Sequence, residues 1–457
     1  MGIAFDRWWW VAAALLVPVA AYLNRDALGM QGVYPDYVCF RHVILSGFDP
    51  RQDFCESPTF PMWGYGFLLV GTERKLALLV GQGAAAIAAA WYLLRTLERL
   101  EILQGLGLRL VKLALVVSVP WYAFSALRWP YSEAISLVLV GLALLLRAVS
   151  SSRRPLLVFV GSGLLFGLAL NFRSDYIALP LVAAVVAVAL SRKRLETAAS
   201  MLVWICAILV ALVPWMAYSH RATGHFLLTS TNSGHVLYIS LGQLPGNPWG
   251  ITPFDGDPRM QRELDAHFGT KDTQSLTYAS DVYLRHRFVQ LVRQHPVAWL
   301  HKDVVNGVHT LTEGFYSGEF IQAADCVPHC YGKFGWNEAG TARVRSPLST
   351  LFGSGLGLRD RLRFGLQEGS ALEGRIVSLF GFLAAAAVFV LALRRRDMAL
   401  ALLALVPCFQ WASNALAYDL SSYSSNAYVP VLATIAIAGT ELARRWRGRA
   451  PRRSRAG

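Results

Sequence analysis

The chain has 457 residues, of which 54% are hydrophobic and only 16% charged, and its formal net charge is +14. A soluble domain of this size needs more charge on its surface, so the composition excludes a soluble globular protein. The positive charge does not point to nucleic acid either, because it is confined to certain gaps between apolar runs.

Apolar runs of ~17–25 residues suit a bilayer crossing. They fall at about 8–23, 75–94, 110–127, 131–147, 155–171, 176–190, 199–219, 376–393, 398–416 and 427–443. No small-residue cleavage site follows the first run, which therefore reads as an anchor rather than a signal peptide. The gaps alternate in charge. One set holds Arg7, then Arg95, Arg99, Arg109 and Lys112, then Arg147, Arg153 and Arg154, then Arg192, Lys193 and Arg194, then Arg394, Arg395 and Arg396, and finally the seven arginines of the tail. That set has 21 of the 43 Lys and Arg and six acids, a net of +15, and the rest of the chain is left at −1. Cytoplasmic loops carry the Lys/Arg excess. The alternation predicts ten spans with both termini cytoplasmic, and the basic gaps would also attract anionic lipid.

The resulting fold class is a polytopic α-helical membrane protein with a mixed α/β extracytoplasmic domain inserted late in the chain. A transmembrane module covers 1–219 and includes a first outer loop at 24–74. The outer domain covers 220–375, C-terminal spans cover 376–445, and a basic tail covers 446–457. Within the domain, 226–241 (FLLTSTNSGHVLYISL) is rich in β-branched and aromatic residues around a Ser-Gly turn, which suggests short strands. Residues 245–258 read as a Pro/Gly/Asp loop. Residues 275–306 have helical periodicity, with Leu284, Phe288, Leu291 and Val292 on one side and a break at Pro296. The segment 356–366 (LGLRDRLRFGL) reads as a surface helix leading into the eighth span.

Of the six cysteines, Cys39, Cys55, Cys326 and Cys330 fall in the outer gaps, whereas Cys206 and Cys408 fall in spans. In an oxidising compartment the outer four suggest disulfides. Cys39–Cys55 with Cys326–Cys330 is the simplest pairing, and the other pairings remain open. A zinc site built on His329 between Cys326 and Cys330 would match no common finger spacing.

The chemistry-bearing residues gather at the outer span edges, where a charge is costly unless it is paired or used. Asp36 lies in YPDY after the first span, and Asp53 and Glu56 follow in the same loop. Arg128 and Glu133 flank the RWPYSE turn, Arg173 and Asp175 occupy NFRSDY, and His220 and Arg221 leave the seventh span. Such a face offers a carboxylate as base and arginines whose planar forks suit phosphate.

These runs resemble the GT-C superfamily of integral-membrane glycosyltransferases, in particular the branch with protein O-mannosyltransferases and the lipid A aminoarabinose transferase. The likeness rests on YPDYVCFRHVILSGFDPRQDFCESPTFPMWGYGFLL, YSEAISLVLVGLALLL, LNFRSDYIALPL and HPVAWLHK, and it covers most of 1–310. The chain departs from the family in having Asp36-Tyr37 where many members have Asp-Glu. Its last outer loop, SSYSSNAYVP, also lacks an arginine. The resemblance implies a sugar moved from a polyprenyl-phosphate donor to a lipid, polysaccharide or protein acceptor at the periplasmic face of a bacterial inner membrane. Asp36 would be the general base. Arg173 and Arg128 would lead in binding donor phosphate, with Arg221 and Arg41 behind them. Glu133, Asp175, Glu56 and His220 would orient these groups or bind acceptor. Two other readings use similar lipids, namely an O-antigen polymerase or ligase and a lipid-linked sugar transporter or flippase. A polymerase or ligase would concentrate arginines in the late loop, and a transporter would place charges at mid-span. No HExxH, DxD or dense carboxylate cluster calls for a metal, although one divalent cation at Asp36 stays open.

Overall fold

A computed structural model of the protein describes residues 2–24, 35–49, 57, 59–60, 62–71, 75–125, 131–151, 155–315, 358–418 and 421–449. The first half folds into α1 (Gly2–Asn24), α2 (Pro35–Leu45), α3 (Gly64–Gly71), α4 (Lys75–Arg99), α5 (Gly105–Val117), α6 (Val119–Ser125), α7 (Tyr131–Ser150), α8 (Leu156–Phe172), α9 (Leu179–Leu190) and α10 (Arg194–Thr223). Then come α11 (Ser233–Ser240), α12 (Pro258–Phe268), α13 (Tyr278–Gln294), α14 (Pro296–Glu313), α15 (Leu358–Arg395), α16 (Met398–Leu416) and α17 (Tyr428–Arg449).

Among the described residues, six helices are long and apolar enough to cross a membrane: α4, α7, α10, α15, α16 and α17. They become seven if α5 and α6, bent by 63° at Ser118, form one span. Shorter apolar helices lie at Trp8–Tyr22, Leu156–Phe172 and Leu179–Leu190. Each of the ten apolar runs has helix over most of its described residues, but only some reach span length alone. The bend is a correction to the unbroken third run. Pro120 lacks an N–H to continue the α5 ladder, and the Ser118 hydroxyl accepts the Trp121 N–H at 3.1 Å, starting a new helix. The expected surface helix at 356–366 is likewise no separate element, since α15 runs on through it from Leu358.

Small residues let the helices approach closely. A Cβ on Gly163 would lie 2.4 Å from the Trp204 carbonyl oxygen, and one on Gly167 2.5 Å from that of Ile208, so α8 packs directly on the α10 backbone. The Ser162 hydroxyl donates to the Gly141 carbonyl at 2.7 Å and accepts from Trp204 Nε1 at 3.0 Å, which also leaves no polar atom of that side chain stranded.

Several basic gaps meet at one end of the bundle. Asp6 takes a hydrogen bond from Arg109 Nε at 2.8 Å and lies 3.7 Å from Lys112 Nζ. Arg395 pairs with Glu441 at 2.6 Å. Ala392, Leu400 and Ala401 form an apolar cluster with Ile102, Leu190 and Ile437.

The mixed α/β expectation is corrected for the described residues, which contain no strand. Of 226–241, residues 233–240 form α11. The reason is tertiary. The Asp281 carboxylate accepts the Gly234 N–H at 2.6 Å and also the Ser233 hydroxyl, which caps a helix start. A Cβ on Gly234 would overlap the Asp281 carbonyl at 2.0 Å. The periodicity at 275–306 corresponds to α13 and α14, which break at His295 just before Pro296. Around them, Glu263 of α12 is clamped by Arg259 and Arg287 of α13 at 3.0 and 2.7 Å. Burial raises the pKa of that carboxyl, but the two guanidinium groups outweigh burial and hold it below its usual value.

This helical region is tied to the bundle through α14. Lys302, fully buried, donates to the last carbonyls of α16, those of Leu416 and Ala417, at 3.1 Å each. It also lies 2.9 Å from Asp303. A cation at a helix C-terminus satisfies free carbonyls and the helix dipole together.

The packing predicts that Gly163→Ala destabilises the protein by about 1–3 kcal/mol, the usual range for overpacking. Gly81→Ala, which meets nothing within 4 Å, should be neutral. Thermal unfolding in detergent reads the difference.

Candidate functional site

The end opposite the basic gaps carries the described part of the expected site. Its first element is α2, with Asp36 in the opening turn. The helix begins at Pro35 within the described residues, one residue before Asp36. The Asp36 side chain itself lies outside the described residues. One turn on, Phe40 is buried against Trp215 and Tyr218 of α10, at ring distances of 6.2 and 6.0 Å. Gly47, at φ 75°, ends the segment and turns Phe48 back toward Trp63, 5.5 Å ring to ring.

Trp63 is held from below. Its indole N–H donates to Asn171 Oδ1 at 2.7 Å. Asn171 Nδ2 donates in turn to the carbonyls of Gly167 and Ala211, at 2.9 and 3.1 Å. Gly64 presses on the end of α8, where a Cβ would sit 2.7 Å from the Asn171 carbonyl oxygen. These contacts leave a cavity of about 650 Å³ between α3, α8 and α10, with Phe48, Trp63, Phe67, Pro214 and Tyr218 in its lining. Arg221 supplies the charged group of the lining. Phe67 and Leu168 are 44% and 45% exposed at its mouth, so the hollow opens sideways on the bundle among apolar side chains.

Ala211, Pro214, Ala217, Tyr218 and Arg221 recur on one face of α10, so the apolar wall runs about 15 Å along the helix and ends at a guanidinium. Sequence reasoning chose Arg221 but missed the stripe leading to it. It also missed Asn171, although the motif NFRSDY begins with it. A polar residue one position before a helix end, inside an apolar run, was the available sign.

Two segments far apart in the chain, one before Trp63 and one after α10, are joined by hydrogen bonds. The Thr231 N–H donates to the Thr59 carbonyl at 3.1 Å, and the two threonine hydroxyls lie 2.9 Å apart. The Ser57 and Thr231 hydroxyls both donate to the Leu276 carbonyl, at 2.7 and 2.6 Å.

The remaining site residues divide as follows. Arg173, two residues from Asn171, puts Nε and Nη2 on Asp175 Oδ2 at 3.0 and 2.5 Å, and its guanidinium carbon stands 4.1 Å above the Tyr131 ring. Asp175 therefore holds Arg173, and neither residue lines the cavity. Glu133, in the first turn of α7, accepts from Gln82 of α4 through Oε1, while its buried Oε2 has no hydrogen-bond partner. Gln82 also donates to the Tyr65 hydroxyl at 3.2 Å, which joins α3, α4 and α7. Arg41 is half-buried on α2. His220 is exposed, with its ring 4.2 Å from that of Phe226. Arg128, Asp53 and Glu56 lie outside the described residues. Cys39 is disulfide-bonded, and its partner lies outside the described residues, as do Cys55, Cys326 and Cys330. Cys206 and Cys408 are free thiols. Among the described residues no three His, Cys, Asp or Glu side chains group as a metal site.

No family model matches the chain, and no curated protein matches it in sequence. Among solved structures it is similar to the archaeal oligosaccharyltransferase AglB from Archaeoglobus fulgidus, determined in complex with an inhibitory peptide and a dolichol-phosphate. The identity is 12% and the TM-score 0.46, covering 99% of this chain and 53% of that one. The present chain thus spans about half the length of that protein.

The cavity geometry makes a thermodynamic prediction. Asn171→Leu leaves the Trp63 indole N–H buried without an acceptor, at a cost of about 1–3 kcal/mol. Adding Trp63→Phe removes the stranded donor and should recover part of that loss. A double-mutant cycle by thermal unfolding measures the coupling, and strict additivity would show that the bond contributes nothing.

Proposed function

We propose that this chain is an inverting glycosyltransferase of the bacterial inner membrane. It moves a sugar from a polyprenyl-phosphate donor to an acceptor hydroxyl at the periplasmic face, with ten spans and cytoplasmic termini. The observation that carries the reading is the sideways-opening apolar cavity that ends at Arg221, beside the helix bearing Asp36. A long isoprenoid chain fits an apolar slot reached from the bilayer. Its phosphate fits a guanidinium at the slot's end, where charge-assisted hydrogen bonds are strong.

In this reading Arg221 takes the leading phosphate role, ahead of Arg41 and Arg128. Arg173 is already engaged by Asp175 and Tyr131 and serves as a secondary or positioning cation. Asp36 removes the proton from the acceptor hydroxyl. The hydroxyl oxygen then forms a bond to the anomeric carbon as the carbon–oxygen bond to phosphate breaks. The electron pair departs with the polyprenyl phosphate, whose charge the arginines offset. One displacement inverts the anomeric centre. The tie between 57–59 and 231–276 supports an acceptor path bounded by both outer segments. Cys39–Cys55 is the pairing proposed to fasten the first of them.

The test is transfer from a labelled polyprenyl-phosphate sugar to membrane acceptors by the purified protein. Asp36→Asn is expected to lower kcat by about 10²–10⁴-fold, the usual contribution of a general base. Arg221→Ala is expected to raise KM for the lipid donor about tenfold or more, the loss of one charge-assisted contact. Near-normal turnover by Asp36→Asn would remove the base assignment. Movement of lipid-linked sugar across vesicles with no transfer would replace the enzyme with a transporter.

A further inference from the structure

Helix α14 is inside out. Its buried residues are Lys302, Asn306, Gly307 and Thr310, all polar or glycine. Its exposed large hydrophobic side chains are Val297 (78%), Leu300 (56%), Val304 (64%) and Val308 (55%), which the helical repeat aligns on one face with the exposed His301 among them. A helix between a protein core and water shows the reverse arrangement. Polar groups turned inward and aliphatic groups turned outward are the pattern of a helix with hydrocarbon outside it.

Two of the inward polar groups are engaged, while the buried Oδ1 of Asn306 has no hydrogen-bond partner. Lys302 donates to the Leu416 and Ala417 carbonyls, and Asn306 Nδ2 donates to Gln243 Oε1 at 2.8 Å. The exposed Thr312 turns its hydroxyl back on its own helix, to the carbonyls of Val308 and His309 at 3.2 and 3.1 Å.

The neighbours of α14 fix its depth. Lys302 sits at the end of α16, a helix apolar enough to span. Five residues on, the Gly307 carbonyl accepts from Trp411 Nε1 at 2.9 Å, so α14 descends alongside α16 rather than away from it. Beyond its end, Phe315 stacks on Phe382 of α15 at 5.4 Å, well inside the apolar stretch Leu372–Arg395. At 1.5 Å per residue, Val308 lies about 9 Å past the level of Lys302. On α15, Ile376, Phe380 and Leu383 are exposed, and the half-exposed Arg375 pairs with Glu313 at the last turn of α14 at 2.8 Å.

We propose that the Val297–Leu300–Val304–Val308 face of α14 lies against lipid acyl chains in the leaflet nearer that end. The helix enters the bilayer without crossing it, and the outer region is seated in the membrane through it. The proposal does not depend on the transfer activity.

Spin labels carried by a genetically encoded keto amino acid leave the native cysteines untouched. They are placed singly at Val304 and Val308 in the full chain in lipid nanodiscs. Val210, exposed on the span α10, and Val289, exposed on α13, serve as references. Labels at 304 and 308 are expected to relax more with oxygen than with a water-soluble nickel chelate, as at 210, with 308 the deeper. The label at 289 should show the opposite ratio. A nickel-dominated ratio at 304 and 308 would put the face in water and overturn the proposal. Shielding from both reagents would overturn it too, because a second copy or another protein would then cover the face.

Discussion

The arrangement depends on one constraint, that a polar side chain deep in an apolar helix bundle must find its partners inside the protein. Asn171 meets that constraint three times over, with two carbonyls of its neighbours and one indole. In doing so it fastens α3 to α8 and α10 at one level. The close approach at Gly64 allows this, and the bulk of Trp63 then props the helices apart above it. The cavity is therefore a product of a hydrogen-bond network and two size extremes, glycine and tryptophan, at adjacent positions.

The same constraint separates two kinds of arginine. Arg173 is drawn against Asp175 and the Tyr131 face, so its charge is offset within the protein. Arg221 instead ends a wall of small and apolar residues and faces the hollow. An anion arriving at the hollow meets Arg221 without first displacing an Asp175-type carboxylate clamp. On the proposed reading the slot opens to the bilayer between helices, and α14 holds the outer region down at the same boundary.

Much of the helix layout was legible because apolar length is a property of the chain alone. The break at Pro296 and the helical period around Leu284 and Leu291 were legible for the same local reason. The strands expected at 226–241 were not found in α11, because Asp281, 48 and 47 residues away, caps Ser233 and Gly234, and β-propensity is overridden by such contacts. Arg221 was identified as a charge at a span end. Its place in a cavity needed the packing of α3 and α8, which no single helix encodes. The inverted face of α14 was not legible, because the periodicity read over 275–306 does not tell which side of the helix is covered, and only the burial of Lys302 and Asn306 shows that Val304 and Val308 face outward.

The most direct test of the account is the structure of the protein in nanodiscs with polyprenyl phosphate bound, determined by electron cryo-microscopy. The account predicts isoprenoid density along Trp63, Phe67 and Pro214, with phosphate oxygens within about 2.7–2.9 Å of the Arg221 guanidinium. A phosphate bound away from Arg221, with the hollow between α3, α8 and α10 empty of lipid, would contradict it.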